Sequence, residues 1–324
     1  MAKLILTTEN AWNNKQQLGA LFMDVKGAFD CVIKKQLLQR MIELKIPTFL
    51  TKWTDSFLTN RQAQLVIDGF TCKLQDICAG VPQGSPVSPI LFNIYLSGIF
   101  DKIEQENPDI TALSFADDIA FLAPGKTVKD IQDALTNAGE LAVKWGLINN
   151  VTFDINKTEA ILFTKKSKIR RNIEQYNIQV QNYVIKFNKE ATRWLGIWLD
   201  TGLSLKEHYQ IRFQKAQQTE NKLRAISSTF GLASGLVRRV QIAAIQSVAL
   251  YGAELWWRGQ KDAINKLQKL INRQSRAITG AFSTSPIDLL IKEAEMTPAE
   301  PLLNHRQRKF TLRALKLPST NPAN

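Results

Sequence analysis

Residues 114–121 read SFADDIAF, with two adjacent acids, Asp117 and Asp118, inside a run whose flanks are apolar. Side chains alternate faces along a strand, so two neighbouring acids cannot both enter one core. At the tip of a hairpin both reach the same edge, and the apolar flanks become the two strands that hold the tip. Clustered carboxylates are costly unless a positive charge neutralises them. A hard divalent cation is the natural partner, because Mg²⁺ takes oxygen ligands and keeps positions open for substrate phosphates. An isolated Asp-Asp pair ordinarily marks a solvated turn, so the residues around it decide its meaning.

A third acid lies upstream. Residues 18–25, LGALFMDV, form an apolar run that reads as a buried strand with Asp24 at its carboxyl end. Three carboxylates at strand ends suit two metal ions about 3.5–4 Å apart, which stabilise the attacking and leaving oxygens of an in-line phosphoryl displacement. From the acids alone, the chemistry is that of a polymerase or a nuclease.

The rest of the chain alternates helix and strand signals up to about residue 200. Residues 1–17 carry a short helical pattern, and apolar positions recur at helical spacing over 34–45, closed by Pro47. A helix over 49–58 leads into AQLVIDGFTCKLQDI, where Asp68-Gly69 signals a hairpin turn. The Gly/Pro/Ser-rich stretch from Ala79 opens a strongly apolar helix that Ser88 can cap and Pro89 can start, with a loop expected over 104–111. An amphipathic helix over 128–145, a strand near 159–163, a basic run at 165–171 and two short strands over 176–187 follow. After Asp200 the pattern is helical, with Gly231, Gly235 and Gly280 as breaks and a frayed tail, LPSTNPAN. The domain boundary is placed near residue 200.

The charge is divided unevenly. The chain has a net charge of +13; residues 1–200 hold 23 lysines and arginines against 21 acids, and residues 201–324 hold 19 against 8. A basic excess points to polyanionic partners. Three cysteines and two histidines, at spacings that fit no zinc pattern, suit a reducing compartment. No apolar run approaches the roughly 20 residues of a membrane span, and the start MAKLILTTENAW has no signal-peptide core. An intracellular protein, nuclear or cytoplasmic, is expected.

The ordered set FMDVKGAFD (22–30), GVPQGSPVSPILFNIYL (80–96), FADD (115–118), NKTEAILF (156–163) and RWLGIWLD (193–200) resembles the palm motifs of reverse transcriptases, in particular those of non-LTR (LINE-type) retrotransposons. LVRRVQIAAIQSVALYGAELWW (236–257) and LINRQSRAITGAF (270–282) resemble the thumb and adjoining region of such proteins. The resemblance implies an α+β fold: a right-hand polymerase palm, with an antiparallel sheet packed on helices over residues 1–200, then a mostly helical thumb and C-terminal region over 201–324. It implies RNA-directed DNA polymerase activity on an RNA template, a DNA primer and dNTPs. Two Mg²⁺ ions, which Mn²⁺ can replace, would sit on Asp24, Asp117 and Asp118.

Carried over motif by motif, Phe29 matches the aromatic that lies under the incoming sugar and excludes a 2′-hydroxyl. Gln83 and Gly84 match the loop beside the nucleotide. Lys157 matches a lysine near the triphosphate that serves as general acid for pyrophosphate. Trp194, Leu195 and Gly196 match the primer grip. Arg238, Arg239, Arg273 and Arg276 are candidates for phosphate contacts, because basic groups that neutralise phosphates give sequence-independent, salt-sensitive affinity. Only 23 residues precede Asp24, which reads as a fingers region cut short. The alternative is therefore a catalytically inactive nucleic-acid-binding remnant of a retrotransposon.

Overall fold

The computed structural model describes residues 1–223 and 231–317. The chain divides into two compact units, Leu6–Leu195 and a second made of Met1–Ile5 with Gly196–Asn324. Helix α1 (Ala2–Asn13) leads into strand β1 (Gln17–Lys26), helices α2 (Lys34–Glu43) and α3 (Thr48–Leu58), and four two-residue strands, β2 (Gln62–Ala63), β3 (Val66–Ile67), β4 (Phe70–Thr71) and β5 (Gln75–Asp76). Helix α4 (Ser88–Glu106), strands β6 (Thr111–Phe115) and β7 (Asp118–Gly125), and helix α5 (Val128–Ile148) follow. Strands β8 (Thr152–Phe153) and β9 (Glu159–Phe163), helix α6 (Ser167–Arg171), and strands β10 (Asn177–Val180), β11 (Tyr183–Lys186) and β12 (Thr192–Trp194) come next.

The sheet of the first unit is antiparallel and centred on β1. Its order is β6-β7-β1-β8, with β9 also pairing β1. An antiparallel strand commonly leaves one face in water, yet the first seven residues of β1 are all buried, which is why its sequence is a continuous apolar run rather than an alternation. On one face Leu21, Met23 and Val25 join a core with Leu37, Met41, Phe92, Leu96, Ile131 and Leu135. Helix α5 presses so close that a Cβ on Gly19 would lie 2.3 Å from Ile131 Cγ2. That helix starts on a capping box, with Thr127 Oγ1 accepting from the Asp130 amide at 3.2 Å and Asp130 Oδ2 accepting from the Thr127 amide at 3.0 Å.

The hairpin expected at Asp68-Gly69 forms, and the two short strands expected over 176–187 pair with each other. Val66 pairs with Thr71 and Ile67 with Phe70 around Asp68 and Gly69, whose φ values of 49° and 82° suit the left-handed two-residue turn that Asp-Gly signals. Strands β10 and β11 pair from Asn177↔Lys186 to Val180↔Tyr183. Several local expectations need correction. Helix α4 runs to Glu106, into the expected loop, because Ile99 and Ile103 continue its buried face. Helix α5 ends at Ile148 rather than Trp145. Ser88 does not cap α4; its hydroxyl donates to Pro82 O at 2.6 Å.

Strand β13 (Ile197–Leu199) opens the second unit, followed by helices α7 (Lys206–Lys222) and α8 (Ser234–Gln241), a π turn at Ile242–Gln246, and helices α9 (Ser247–Ala249), α10 (Ala253–Trp256), α11 (Lys261–Thr279), α12 (Ile287–Glu293) and α13 (Ala299–Ala314). Gly231 (φ 84°) precedes α8, and Gly280 (φ 68°) closes α11 in the left-handed conformation favoured at helix ends. Gly235 is not a break; it lies in the first turn of α8. Most of the tail LPSTNPAN, residues 318–324, falls outside the described residues. Among the described residues no helix is long and apolar enough to cross a membrane.

The second unit packs around Trp256, with Tyr209 and Phe213 at ring distances of 5.3 and 6.0 Å. Buried His208 accepts from the Trp198 amide at Nδ1, 3.3 Å, so Nε2 carries the proton it shares with Tyr251 O at 3.0 Å. Desolvation holds the His208 pKa below its usual value. Asp200, the last residue of RWLGIWLD, accepts from the amides of Gly202, Ser204 and Leu205 and from the Ser204 hydroxyl, which shapes the turn into α7. The α+β architecture implied by the sequence, an antiparallel sheet packed on helices and then a helical region, is what the chain adopts.

Candidate active site

Antiparallel pairing places Asp24 of β1 directly opposite Asp118, the first residue of β7. Phe115 pairs with the same Asp118 across the hairpin. Ala116 turns the chain with a φ of 54°, leaving Asp117 exposed at the tip. The Val25 amide donates to Asp117 O at 3.2 Å and ties the tip to β1. Burial raises the Asp118 pKa, and the charges of Asp117 and Asp24 add to the rise. The three acids therefore sit near enough to repel one another.

Among the described residues no three His, Cys, Asp or Glu side chains form a metal-holding group. In kind, the donors do suit a hard cation. They are oxygen ligands, two of them on paired residues, and Asp118 carries a repulsion that a divalent ion would relieve.

Lys157, in the short 3₁₀ turn before β9, places Nζ 3.5 Å from Asp24 Oδ2 and 3.6 Å from Asp154 Oδ2. Asp154 is nearly buried. Lys26 Nζ lies 3.5 Å from the other Asp154 oxygen, and the Asp154 amide donates to Asp24 O at 2.8 Å. A buried carboxylate flanked by two ammonium groups fixes where those groups sit. The sequence reading singled out Lys157 and missed Asp154 and Lys26. The signal was present: Asp154 stands one helical turn before Lys157.

Phe29 is half-buried and meets Phe92 edge-on at 5.7 Å. The loop holding Gln83 and Gly84 docks beside it. The Val81 amide donates to Phe29 O at 2.7 Å, and the Gly80 amide donates to Val32 O at 2.8 Å. A Cβ on Gly80, which has a φ of 79°, would lie 2.9 Å from Phe29 O and 3.0 Å from Asp30 Cα. Gly80 is thus where the loop requires glycine for close approach. Gly84 (φ 85°) faces open space. Arg61 clamps the start of the loop through Ala79 O and Gly80 O at 2.8 and 2.6 Å. Gln83 is exposed.

Trp194 is buried and stacks on Phe22 at 5.2 Å, so its ring contributes to packing under β1. Leu195 and Gly196 carry positive φ values of 46° and 76° and form a tight turn. In the second unit Arg212 donates to Gly196 O at 2.9 Å and lies 4.2 Å from the Tyr251 ring. Of the four arginine candidates, three have internal partners. Arg273 pairs with Glu220 at 2.8 Å, Arg238 donates to Glu295 O at 2.9 Å, and Arg276 donates to Ser283 O at 3.3 Å. Arg239 is exposed and has no hydrogen bond or ion pair among the described residues.

An antiparallel sheet backed by helices, with an Asp-Asp hairpin tip in register with an acidic strand end, defines a polymerase-type palm. Residues 2–199 match the family model for reverse transcriptase (RNA-dependent DNA polymerase), and the chain belongs to that family. It is 25% identical over 276 residues to the RNA-directed DNA polymerase from mobile element jockey of Drosophila melanogaster, covering 84% of this chain and 29% of that protein. It is 27% identical over 281 residues to the probable RNA-directed DNA polymerase from transposon BS of the same fly, covering 83% and 30%. A telomerase from Candida tropicalis, solved with a TWJ fragment of telomeric RNA, aligns at 13% identity with a TM-score of 0.46, covering 98% of this chain and 50% of that one. The chain thus spans under a third of the length of the two fly relatives. The retrotransposon-type reverse transcriptase read from the motifs is borne out.

Proposed function

We propose that the chain is the palm and thumb core of an RNA-directed DNA polymerase that extends a DNA primer on an RNA template. The observation that carries this reading is the register of Asp24 opposite Asp118 with Asp117 at the hairpin tip, within a chain of the reverse transcriptase family. Asp24, Asp117 and Asp118 would hold two divalent ions, Mg²⁺ with Mn²⁺ as its substitute. When bound, such ions supply charge stabilisation to the attacking and leaving oxygens of nucleotidyl transfer.

The chain's own residues do the positioning. Phe29, held edge-on by Phe92 and backed by the docked loop, presents a ring that leaves no room for a 2′-hydroxyl. Gln83 and Gly84 offer an exposed amide and an open backbone to the incoming dNTP. Lys157, aimed by Asp154, protonates the departing pyrophosphate. Trp194, Leu195 and Gly196 form the turn that grips the primer, with Trp194 as its buried anchor. Arg239 contacts phosphate, while Arg238, Arg273 and Arg276 brace the helices that carry it. RNA and dNTP substrates make the compartment intracellular.

Primer extension on an RNA template with Mg²⁺ tests the proposal. Incorporation of dNTPs is expected, and Asp117→Ala with Asp118→Ala should lower it by roughly 10³-fold or more, as loss of charge stabilisation at a reacting phosphate does. Incorporation that survives the double substitution refutes the assignment. Salt-sensitive duplex binding without any extension identifies the non-catalytic remnant instead.

A further inference from the structure

One face of α13 carries Arg306, Lys309 and Arg313, all exposed, at spacings of three and four residues. Like charges so placed on a helix repel one another. No ion pair or hydrogen bond offsets them among the described residues. Other cations of the same unit do have partners: Arg273 has Glu220, Arg238 has Glu295 and Lys266 has Asp262. The three side chains line a groove of about 480 Å³ whose other wall includes Ile242 and Gln246 of the π turn, together with Glu254. Glu254 makes no ion pair with them. Phe310, half-buried, supplies an apolar floor. Side-chain hydrogen bonds hold both walls of the groove. Trp257 Nε1 donates to Asn304 Oδ1 at 2.8 Å and holds α13, while Gln246 Nε2 of the π turn donates to Gln274 Oε1 of α11 at 3.4 Å and Gln274 Nε2 donates to Gln241 O at the end of α8 at 3.1 Å.

We propose that this groove binds consecutive backbone phosphates of a nucleic-acid duplex, a site separate from the four arginines of α8 and α11. Arg306 to Arg313 extends about 10 Å along the helix axis at 1.5 Å per residue. A duplex strand offers a phosphate roughly every 3.4 Å of axis, so the stripe matches about three successive charges of a linear polyanion. A single small anion would meet one cation and leave the others repelling. Phe310 gives a sugar or an unpaired base an apolar surface beside the phosphates.

The proposal rests on the nucleic-acid partner of the proposed function but not on catalysis. It is therefore tested with EDTA present, using a labelled RNA–DNA hybrid duplex and a salt titration. Replacing Arg306, Lys309 and Arg313 together by Gln should weaken binding about tenfold near 100 mM salt and reduce the slope of log K against log salt by about 2–3, close to one unit per phosphate contact. A control triple, Lys215→Gln, Lys222→Gln and Lys292→Gln, makes the same change in net charge on exposed helix positions and should leave the slope nearly unchanged. Circular dichroism checks that both triples fold. Equal losses in the two triples would show a general charge effect and overturn the site, as would an unchanged slope in the α13 triple. Vesicles of phosphatidylserine form the second arm: if they bind through Arg306, Lys309 and Arg313 while the duplex does not, the face is a membrane surface and the proposal fails. Absent primer extension with an intact duplex slope would overturn the polymerase reading and leave this one standing.

Discussion

In the sheet unit, like charges are driven together: Asp24, Asp117 and Asp118 share one strand edge, and burial with mutual repulsion raises the Asp118 pKa. In the helical unit most of the arginines singled out from sequence are instead satisfied internally, Arg273 on Glu220, Arg238 on Glu295 and Arg276 on a carbonyl. The contrast separates two meanings of charge. A group held in an unfavourable electrostatic setting stores free energy that a ligand can release, whereas a paired group has already found its counter-charge. The basic excess of residues 201–324 points to polyanions in general, and the pairing pattern says which cations are left to meet one.

The sharpest way to break this comparison is Asp118→Asn, which should move activity and stability in opposite directions. Extension is expected to fall by roughly 10³-fold, in the range seen when a charge-stabilising group is lost at a reacting centre. In EDTA the melting temperature should rise, because the folded-state pKa of Asp118 lies above its unfolded value, so the ionised group destabilises the fold at neutral pH. That penalty is fully present above the folded pKa and is relieved as pH falls through it. The gap between variant and wild type should therefore close on acidification. Mg²⁺ should raise the melting temperature of the wild type more than that of the variant. A variant less stable than wild type at neutral pH would mean that the acids are not in conflict.

Much of the sheet unit was legible from sequence because its signals are local. The apolar run before Asp24, the Asp68-Gly69 turn and the flanks of Asp117-Asp118 each specify their own geometry, and β1 pairing then carries Asp24 to Asp118. What was not legible depends on contacts between residues far apart. Nothing near Gly80 announces that its backbone will press on Phe29 O and Asp30 Cα some fifty residues earlier. Ser88 looks like a helix cap until Pro82 O takes its hydroxyl. Arg273 looks like a free cation until Glu220, on another helix, is seen beside it. Asp154 was readable by its spacing from Lys157 yet gained meaning only once the chain brought it under Asp24.

The loop allows a second, intermediate test within the sheet unit. Gly80→Ala adds positive-φ strain, about 1–2 kcal/mol, to a backbone clash that overpacking costs put at about 1–3 kcal/mol. A total loss of about 2–4 kcal/mol in denaturant unfolding is expected, together with weaker extension as Phe29 shifts. Gly84→Ala meets open space, so its loss in stability should be confined to the strain, about 1–2 kcal/mol. Equal losses at the two positions would show that the loop does not dock on Phe29 as described.

The smallest effects fall on the arginines, where the comparison becomes most discriminating. Arg273→Gln leaves Glu220, whose side chain is only 13% exposed, without its bidentate partner, and should cost about 1–2 kcal/mol. Arg239→Gln, on an exposed side chain without an internal partner, should stay within about 0.5 kcal/mol of wild type. Duplex affinity should respond in the reverse sense, falling for Arg239→Gln and holding for Arg273→Gln in the folded protein. Adding Glu220→Gln to Arg273→Gln removes the orphaned charge, so part of the lost stability should return, and a double-mutant cycle measures the coupling directly. Zero coupling would place Arg273 in solution rather than on Glu220. Its guanidinium would then be as available to phosphate as that of Arg239, and the division between bracing and binding cations would have to be redrawn.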